Sequence, residues 1–276
     1  MNSIINWDDS YIDDTFFPIV GFKKGMITPE IYQRMKKNFP KMSKFKTKSY
    51  KQKGRLNIDC GDPKNLRTLK SEYIDFYNLY VYLSQKDFKE HLLRHFKHYL
   101  NTQTGFVGNL DDTTISVHIA ESKGGYENPF HIDTRKRIVH GLLYFGKENI
   151  TYGGQLLLGK YKNSLSPKDF PQYPKLSDFE KIKAIPPIDN KGLFVLSTPN
   201  SYHKGNKTQG LRRFIYISLD YTKGDAWKCG WNQDIKPFPV GIQYQHSEKE
   251  LHKKIEDTIK NKNDEYIVVI DQIQKN

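Results

Sequence analysis

With 276 residues, 13% of them aromatic, the chain is long enough for one large domain or two small ones and has ample material for a packed core. Its mean hydropathy of −0.73 indicates a polar exterior, and no apolar run approaches the roughly eighteen residues of a membrane-spanning helix, which excludes that class. A net charge of +13 leaves nucleic-acid and phosphate partners open.

The first residues, MNSIINWDDSYIDD, are acidic rather than basic-then-apolar, so no signal peptide is expected. Thr28-Pro29-Glu30 reads as a helix start, with Thr at the cap and Pro at the first helical position. It leads into a basic run from Arg34 to Arg55 that holds ten Lys and Arg and no acid. Such a run is more often a solvated face than a nucleic-acid footprint, and the whole chain is rich in Lys, Asn, Ile and Tyr. After Ser84, the residues Phe88, Leu92, Phe96 and Tyr99 or Leu100 recur at helical spacing and predict an amphipathic helix that covers a sheet. His91 and His95 lie four apart on it, but HLLRH lacks the glutamate of a zinc-protease motif, so they read as surface histidines.

From about residue 105 the pattern becomes short strands: TISVHIA, RIVHGLLYF, GGQLLLG, KGLFVLS and LRRFIYISL, separated by Gly-, Pro- and Asn-rich turns. Many strands without intervening helices predict an antiparallel sandwich or barrel. Lys160 to Lys191 carries five prolines and weak periodicity and reads as a long functional loop. Beyond Tyr221 stand WKCGW, a predicted helix at SEKELHKKIEDTIK and a late edge strand at YIVVI. No repeat or linker divides the chain, which predicts a single domain over 1–276. Cys60 and Cys229 have no metal-type spacing, and so sparse a usage suits a reduced, cytoplasmic compartment.

The chemistry concentrates in NPFHIDTRKR and STPNSYHKGN. Residues two apart on extended backbone point to one side, so His131 and Asp133 can grip one ion while Ile132 faces away. His203, from a neighbouring strand, would complete two imidazoles and a carboxylate, a set that leaves positions open and suits iron(II). His118 and His140 lie on predicted strands nearby, either hydrogen-bonding to the ligands or neighbouring a cosubstrate, or as hydrogen-bonded barrel histidines. Arg135 and Arg137 read as surface charges or as an anion grip. Asn200, Asn206 and Thr208 read as loop-shaping residues, and Trp227 and Trp231 as core cover.

The order of these elements resembles the iron(II)- and 2-oxoglutarate-dependent dioxygenases, nearest to the prolyl 4-hydroxylase-like branch, over Thr113 to Tyr221. The resemblance rests on H-x-D at His131 and Asp133, RIVHGLLYF ending in a tyrosine, the glycine pair of GGQLLL, IPPIDNKGLFVLS, and His203 followed nine and ten positions later by Arg212 and Arg213. It implies a mainly β fold with flanking helices, a double-stranded β-helix (jelly roll, cupin-like). Its catalytic core would span 105–222, with helical and strand support from 1–104 and a C-terminal extension over 223–276. It implies His131, Asp133 and His203 as iron ligands. 2-Oxoglutarate would be held through its far carboxylate by Arg213 or Arg212, with Tyr144 as a further contact. Arg213 is preferred, because alternation groups it with Ile215, Ile217 and Leu219, a wholly apolar and therefore inward-looking set.

The reaction implied consumes O2 and 2-oxoglutarate, releases succinate and CO2, and hydroxylates a peptidyl or small-molecule substrate, with ascorbate as a further cofactor. Family members that halogenate have a small residue at the carboxylate position, so Asp133 favours hydroxylation. Glu121 and Ser122 stand where the branch often has a tyrosine that contacts the cosubstrate, and Tyr126 is out of register. LRRFIYISL lacks the Arg-Asn-Thr-Arg pattern of the DNA-repair demethylases, which counts against an oxygenase acting on nucleic acid. The remaining alternative is a jelly-roll protein that binds metal or ligand without turnover.

Overall fold

The computed structural model describes residues 4–49, 54–102, 105–109, 111–123, 128–146, 153–162, 174, 176–208, 210–227, 253, 257 and 266–269. Twelve strands among these form two antiparallel sheets. They are β1 (Ser10–Asp13), β2 (Ile19–Phe22), β3 (Thr47–Ser49), β4 (Arg55–Asp59), β5 (Thr113–Ser122), β6 (Arg137–Phe145), β7 (Leu156–Tyr161), β8 (Phe179–Ile185), β9 (Gly192–Leu196), β10 (Tyr202–Gly205), β11 (Arg212–Tyr221) and β12 (Tyr266–Val269). The larger sheet has the order β1-β2-β9-β6-β11-β5-β4-β3 and the smaller β10-β7-β8-β12. From β6 onward the chain passes to the small sheet for β7 and β8, back for β9, across for β10 and back for β11. That crossing between two facing antiparallel sheets is the jelly roll expected, with helices on one side.

Two apolar layers follow from strand alternation. Between the sheets, Leu142 and Tyr144 of β6, Leu156 and Leu158 of β7, Ile185 of β8, Leu193 and Val195 of β9 and Phe214 of β11 pack together. On the outer face of the large sheet, Val117, Ile119, Ile215, Ile217 and Leu219 meet the helices. These are α1 (Pro29–Lys37), α2 (Pro63–Glu72), α3 (Ile74–Ser84) and α4 (Lys86–Thr102). Pro29 opens α1 as predicted, and Asp62 caps α2 by accepting from the amides of Lys64 and Asn65. The stripe Phe88, Leu92, Phe96 and Leu100 of α4 is buried against the sheet. At roughly 1.5–3 kcal/mol per large side chain, this burial outweighs the few tenths available from the exposed Lys86–Glu90 pair.

The reading of 160–191 as one long loop is corrected. β7 runs through Tyr161, and β8 fills Phe179–Ile185. Strand β8 (FEKIKAI) carries charged residues within a proline-rich stretch, yet it is largely covered; even Lys183 is buried, with its Nζ 2.5 Å from Asp13 Oδ2. The edge strand foreseen at YIVVI is β12, paired with β8. Trp231, Cys229, Tyr126 and most of the helix predicted at SEKELHKKIEDTIK lie outside the described residues. Within the basic run, Arg34 pairs with Asp75, Lys36 with Asp189, Lys44 with Glu72 and Lys46 with Asp62. Three of these four pairs tie α1 and the segment after it to α2 and α3. Among the described residues, no helix is long and apolar enough to cross a membrane.

Candidate metal centre

His203 sits on β10, and His131 on the extended segment between β5 and β6, outside any continuous strand. The two residues pair through their backbones. Each amide donates to the other's carbonyl at 3.0 Å, and the ring centroids lie 4.4 Å apart. Asp133 follows two residues on, with Ile132 turned into the core and only 2% exposed. One ligand atom from each of His131, Asp133 and His203 lies within 4.8 Å of the others.

Each donor is oriented by a further contact. His131 Nδ1 is 2.8 Å from the Pro129 carbonyl and His203 Nδ1 is 3.0 Å from the Ser201 carbonyl. A carbonyl only accepts, so both Nδ1 atoms carry the proton and both Nε2 atoms keep the lone pair a metal needs. Asp133 Oδ2 accepts from Ser197 Oγ at 3.0 Å and lies 2.8 Å from His140 Nδ1, while Oδ1 is 3.3 Å from Arg137 Nη1.

The charge states suit a metal as well. Burial, reinforced by neighbouring imidazoles, holds His203 well below the ordinary histidine range, and His131 is lowered chiefly by burial too. Burial would raise Asp133, but the Arg137 cation and the adjacent imidazoles hold its carboxyl well below the usual carboxylate range. Two neutral imidazoles and an ionised carboxylate can bind a divalent ion without releasing protons, so the donor set fits iron(II).

The interior face of β11 carries Arg212, Phe214, Tyr216 and Ser218. Arg213 belongs to the opposite face with Ile215, Ile217 and Leu219, a set that packs under the helices. The preference for Arg213 as an inward residue is therefore corrected. Its Nε lies 3.3 Å from Glu121 Oε2, and its side chain is 41% exposed. Arg212 is buried, and its Nη2 donates to the Tyr144 hydroxyl at 2.8 Å. Its Nε is buried with no partner. A buried guanidinium with an unsatisfied donor, on the face that carries His140, fits the far carboxylate of 2-oxoglutarate.

Of the two further histidines, His140 reaches Asp133, with its ring centroid 4.4 Å from that of His203. His118 lies across the sheet, its ring centroid 6.5 Å from that of Tyr216, outside the three-residue cluster. Arg137 is no free surface charge: it is half-buried and held by Asp133, Asp220 and the Tyr216 hydroxyl. Arg135 pairs with Asp225. Asn206 is buried and donates to Gln155 Oε1 at 2.9 Å, and Trp227 donates its indole N–H to the Arg137 carbonyl at 2.8 Å. His91 and His95 pack against Trp7, at 4.5 and 5.1 Å between ring centroids. Ser197 was not anticipated, since a serine at a strand end has no signal that separates it from turn chemistry.

Among solved structures, the chain is similar to a 2OG-Fe(II) oxygenase family oxidoreductase from Burkholderia pseudomallei, at 9% identity and TM-score 0.45 over 77% of this chain and 88% of that one. It is also similar to a prolyl-4-hydroxylase from Pseudomonas putida, at 13% identity and TM-score 0.41 over 78% and 93%. A third is HygX from Streptomyces hygroscopicus, solved with nickel and 2-oxoglutarate bound, at 8% identity and TM-score 0.42 over 80% and 87%. No family model matches the chain, and no curated protein matches it.

Proposed function

We propose that the protein is an iron(II)- and 2-oxoglutarate-dependent oxygenase that hydroxylates a peptidyl or small-molecule substrate and releases succinate and CO2. The convergence of His131, Asp133 and His203 within 4.8 Å carries this reading. When bound, iron(II) with 2-oxoglutarate and O2 supplies the oxidising power for hydroxylation while the cosubstrate loses its carboxyl group. The roles of the chain's own residues follow from their contacts. The Nε2 atoms of His131 and His203 and the carboxylate of Asp133 would hold the metal, three protein ligands that suit an ion with an open coordination sphere. Ser197 and His140 keep the Asp133 carboxylate turned toward the imidazoles. Arg212, buried and steadied by Tyr144, receives the far carboxylate of 2-oxoglutarate, which a guanidinium fork both neutralises and orients.

Succinate formation from 2-oxoglutarate with iron(II), compared between the parent and His131→Ala, tests the assignment. Release by the parent and its loss in the variant is the expected outcome. A parent that neither binds iron nor consumes 2-oxoglutarate would instead be a non-catalytic jelly-roll protein.

A further inference from the structure

The helices that cover the outer face of the large sheet leave a cleft of about 740 Å³ between the short turn Trp7–Asp9, α1, α3 and the start of α4. Small-molecule sites enclose roughly 300–1,000 Å³, so its size suits one such ligand. The sheet itself separates this cleft from the metal centre. Phe88 belongs to the outer apolar layer, and Trp7 and Tyr82 pack against that layer. On β9, Leu193 and Val195 face the interior, whereas Phe194 between them meets Trp7 at 6.0 Å between ring centroids.

Part of the lining is aromatic. The Trp7 ring lies 4.5 Å from His91 and 6.0 Å from Phe88, and Tyr82 lies 5.6 Å from Phe88, centroid to centroid. The Trp7 indole N–H donates to the Tyr82 hydroxyl at 3.1 Å, which ties the two rings into one wall. The rest of the lining is acid-rich. Asp8, Asp75 and Asp87 stand with a single cation, Arg34, and Asp75 takes up that cation, its Oδ1 2.8 Å from Arg34 Nη2. Burial and the neighbouring Arg94 lower His91 below the ordinary histidine range, so its ring adds no charge near neutral pH. The side chains of Asp8 and Asp87 have no hydrogen bond or ion pair among the described residues.

Two uncompensated carboxylates thus share an aromatic cleft on a chain whose net charge is +13. The groove on the other flank of α4 has the opposite balance, with Lys86, Lys89, Arg94 and Lys97 against Glu90 and Asp111. Ring faces and carboxylates attract the same kind of group, since the ring quadrupole and the anionic charge both favour a cation. An anion would be repelled here, and a wholly apolar ligand would strip water from the carboxylates without return.

We infer that this cleft binds a small organic cation, an ammonium on an apolar body, with its charge against Asp8 and Asp87 and its body on the Trp7–Tyr82 wall. The site stands on its own residues, whether or not the protein is an oxygenase.

Phenethylamine, the neutral 2-phenylethanol and the anionic 3-phenylpropionate are titrated into the full-length protein and followed by saturation-transfer NMR. The amine should bind at least about fivefold more tightly than the alcohol, and the propionate more weakly than either. Asp8→Asn and Asp87→Asn should each weaken the amine about threefold and together about tenfold, with the alcohol unchanged. Both positions are exposed, so these variants should fold like the parent. Trp7→Leu should weaken amine and alcohol together. The amine affinity should be the same with and without Mn(II) and 2-oxoglutarate. Equal binding of amine and alcohol, an amine affinity unchanged in the double variant, or no amine bound at up to about 10 mM would overturn the site. Displacement of the amine by 2-oxoglutarate would place it in the metal centre and overturn it too. A short lysine-containing peptide that binds more tightly than the amine would overturn the assignment to a small molecule.

Discussion

His131 and His203, seventy-two positions apart, are joined by a reciprocal pair of backbone hydrogen bonds at 3.0 Å. The two rings are therefore brought together by main chain, and the side chains can be removed without dismantling the bridge that positions them. His203→Ala should keep the far-ultraviolet circular dichroism of the parent while its Mn(II) affinity falls by more than about a hundredfold, since loss of a ligand exceeds the usual effect of losing an outer-shell partner. A variant that unfolds, or that binds Mn(II) like the parent, would count against this division of labour.

Ser197 and His140 both contact the same carboxylate oxygen, Asp133 Oδ2. Neither needs to touch a metal, and each restricts how the carboxylate can turn. Ser197→Ala should lower Mn(II) affinity about tenfold, with Ser197→Thr retaining most of it because the hydroxyl is kept. Calorimetric titration of both variants decides the point. Equal losses in Ala and Thr would mean that the site responds to packing at 197 rather than to the hydrogen bond.

Much of this site was legible in the chain. The ligands stood out because H-x-D and a distant histidine fall among short strands; β5 and β11 announced themselves by alternation, and β6, β7 and β9 by short apolar runs bounded by Gly-, Pro- and Asn-rich turns. The choice between Arg212 and Arg213 did not, for a physical reason. Alternation separated their faces correctly, but the rule that the more apolar face points inward fails here. The outer face of β11 is covered by helices and is the drier one, carrying Ile215, Ile217 and Leu219, whereas the barrel interior is a polar site bearing Arg212, Tyr216 and Ser218. Strand β8 was hidden for a different reason: FEKIKAI is short and charged and stands in a proline-rich stretch, and only the fold shows that Lys183 is buried against Asp13.

The two arginines make that correction measurable. Arg212→Gln removes a buried cation from the proposed carboxylate site, and its 2-oxoglutarate dissociation constant should rise about a hundredfold. Arg213→Gln removes a half-exposed ion pair with Glu121 and should leave the constant within about twofold. Calorimetry of 2-oxoglutarate binding to the Mn(II)-loaded proteins makes the comparison, and the reverse ranking would restore Arg213 to the role.

The same two imidazoles, His203 buried and His131 half-buried, set the acid response of the metal-free protein. His131 and His203 resist protonation in the fold, whereas in the unfolded chain they take up protons below their ordinary value of 6.5. The unfolded state then binds more protons than the native one, so stability must fall as the pH drops below about 6.5. Asp133 acts in the same direction but later. Its native value is depressed, so the stability it contributes is complete above its ordinary value of 3.8 and is lost as the pH falls from there through the native value. Urea midpoints of the metal-free protein should therefore decline from pH 7 to 5 through the histidines, and decline again below about pH 4 through the aspartate. In the double variant His131→Asn, His203→Asn the upper decline should flatten while the lower one persists. An unchanged upper decline in that variant would place the titrating groups elsewhere in the molecule.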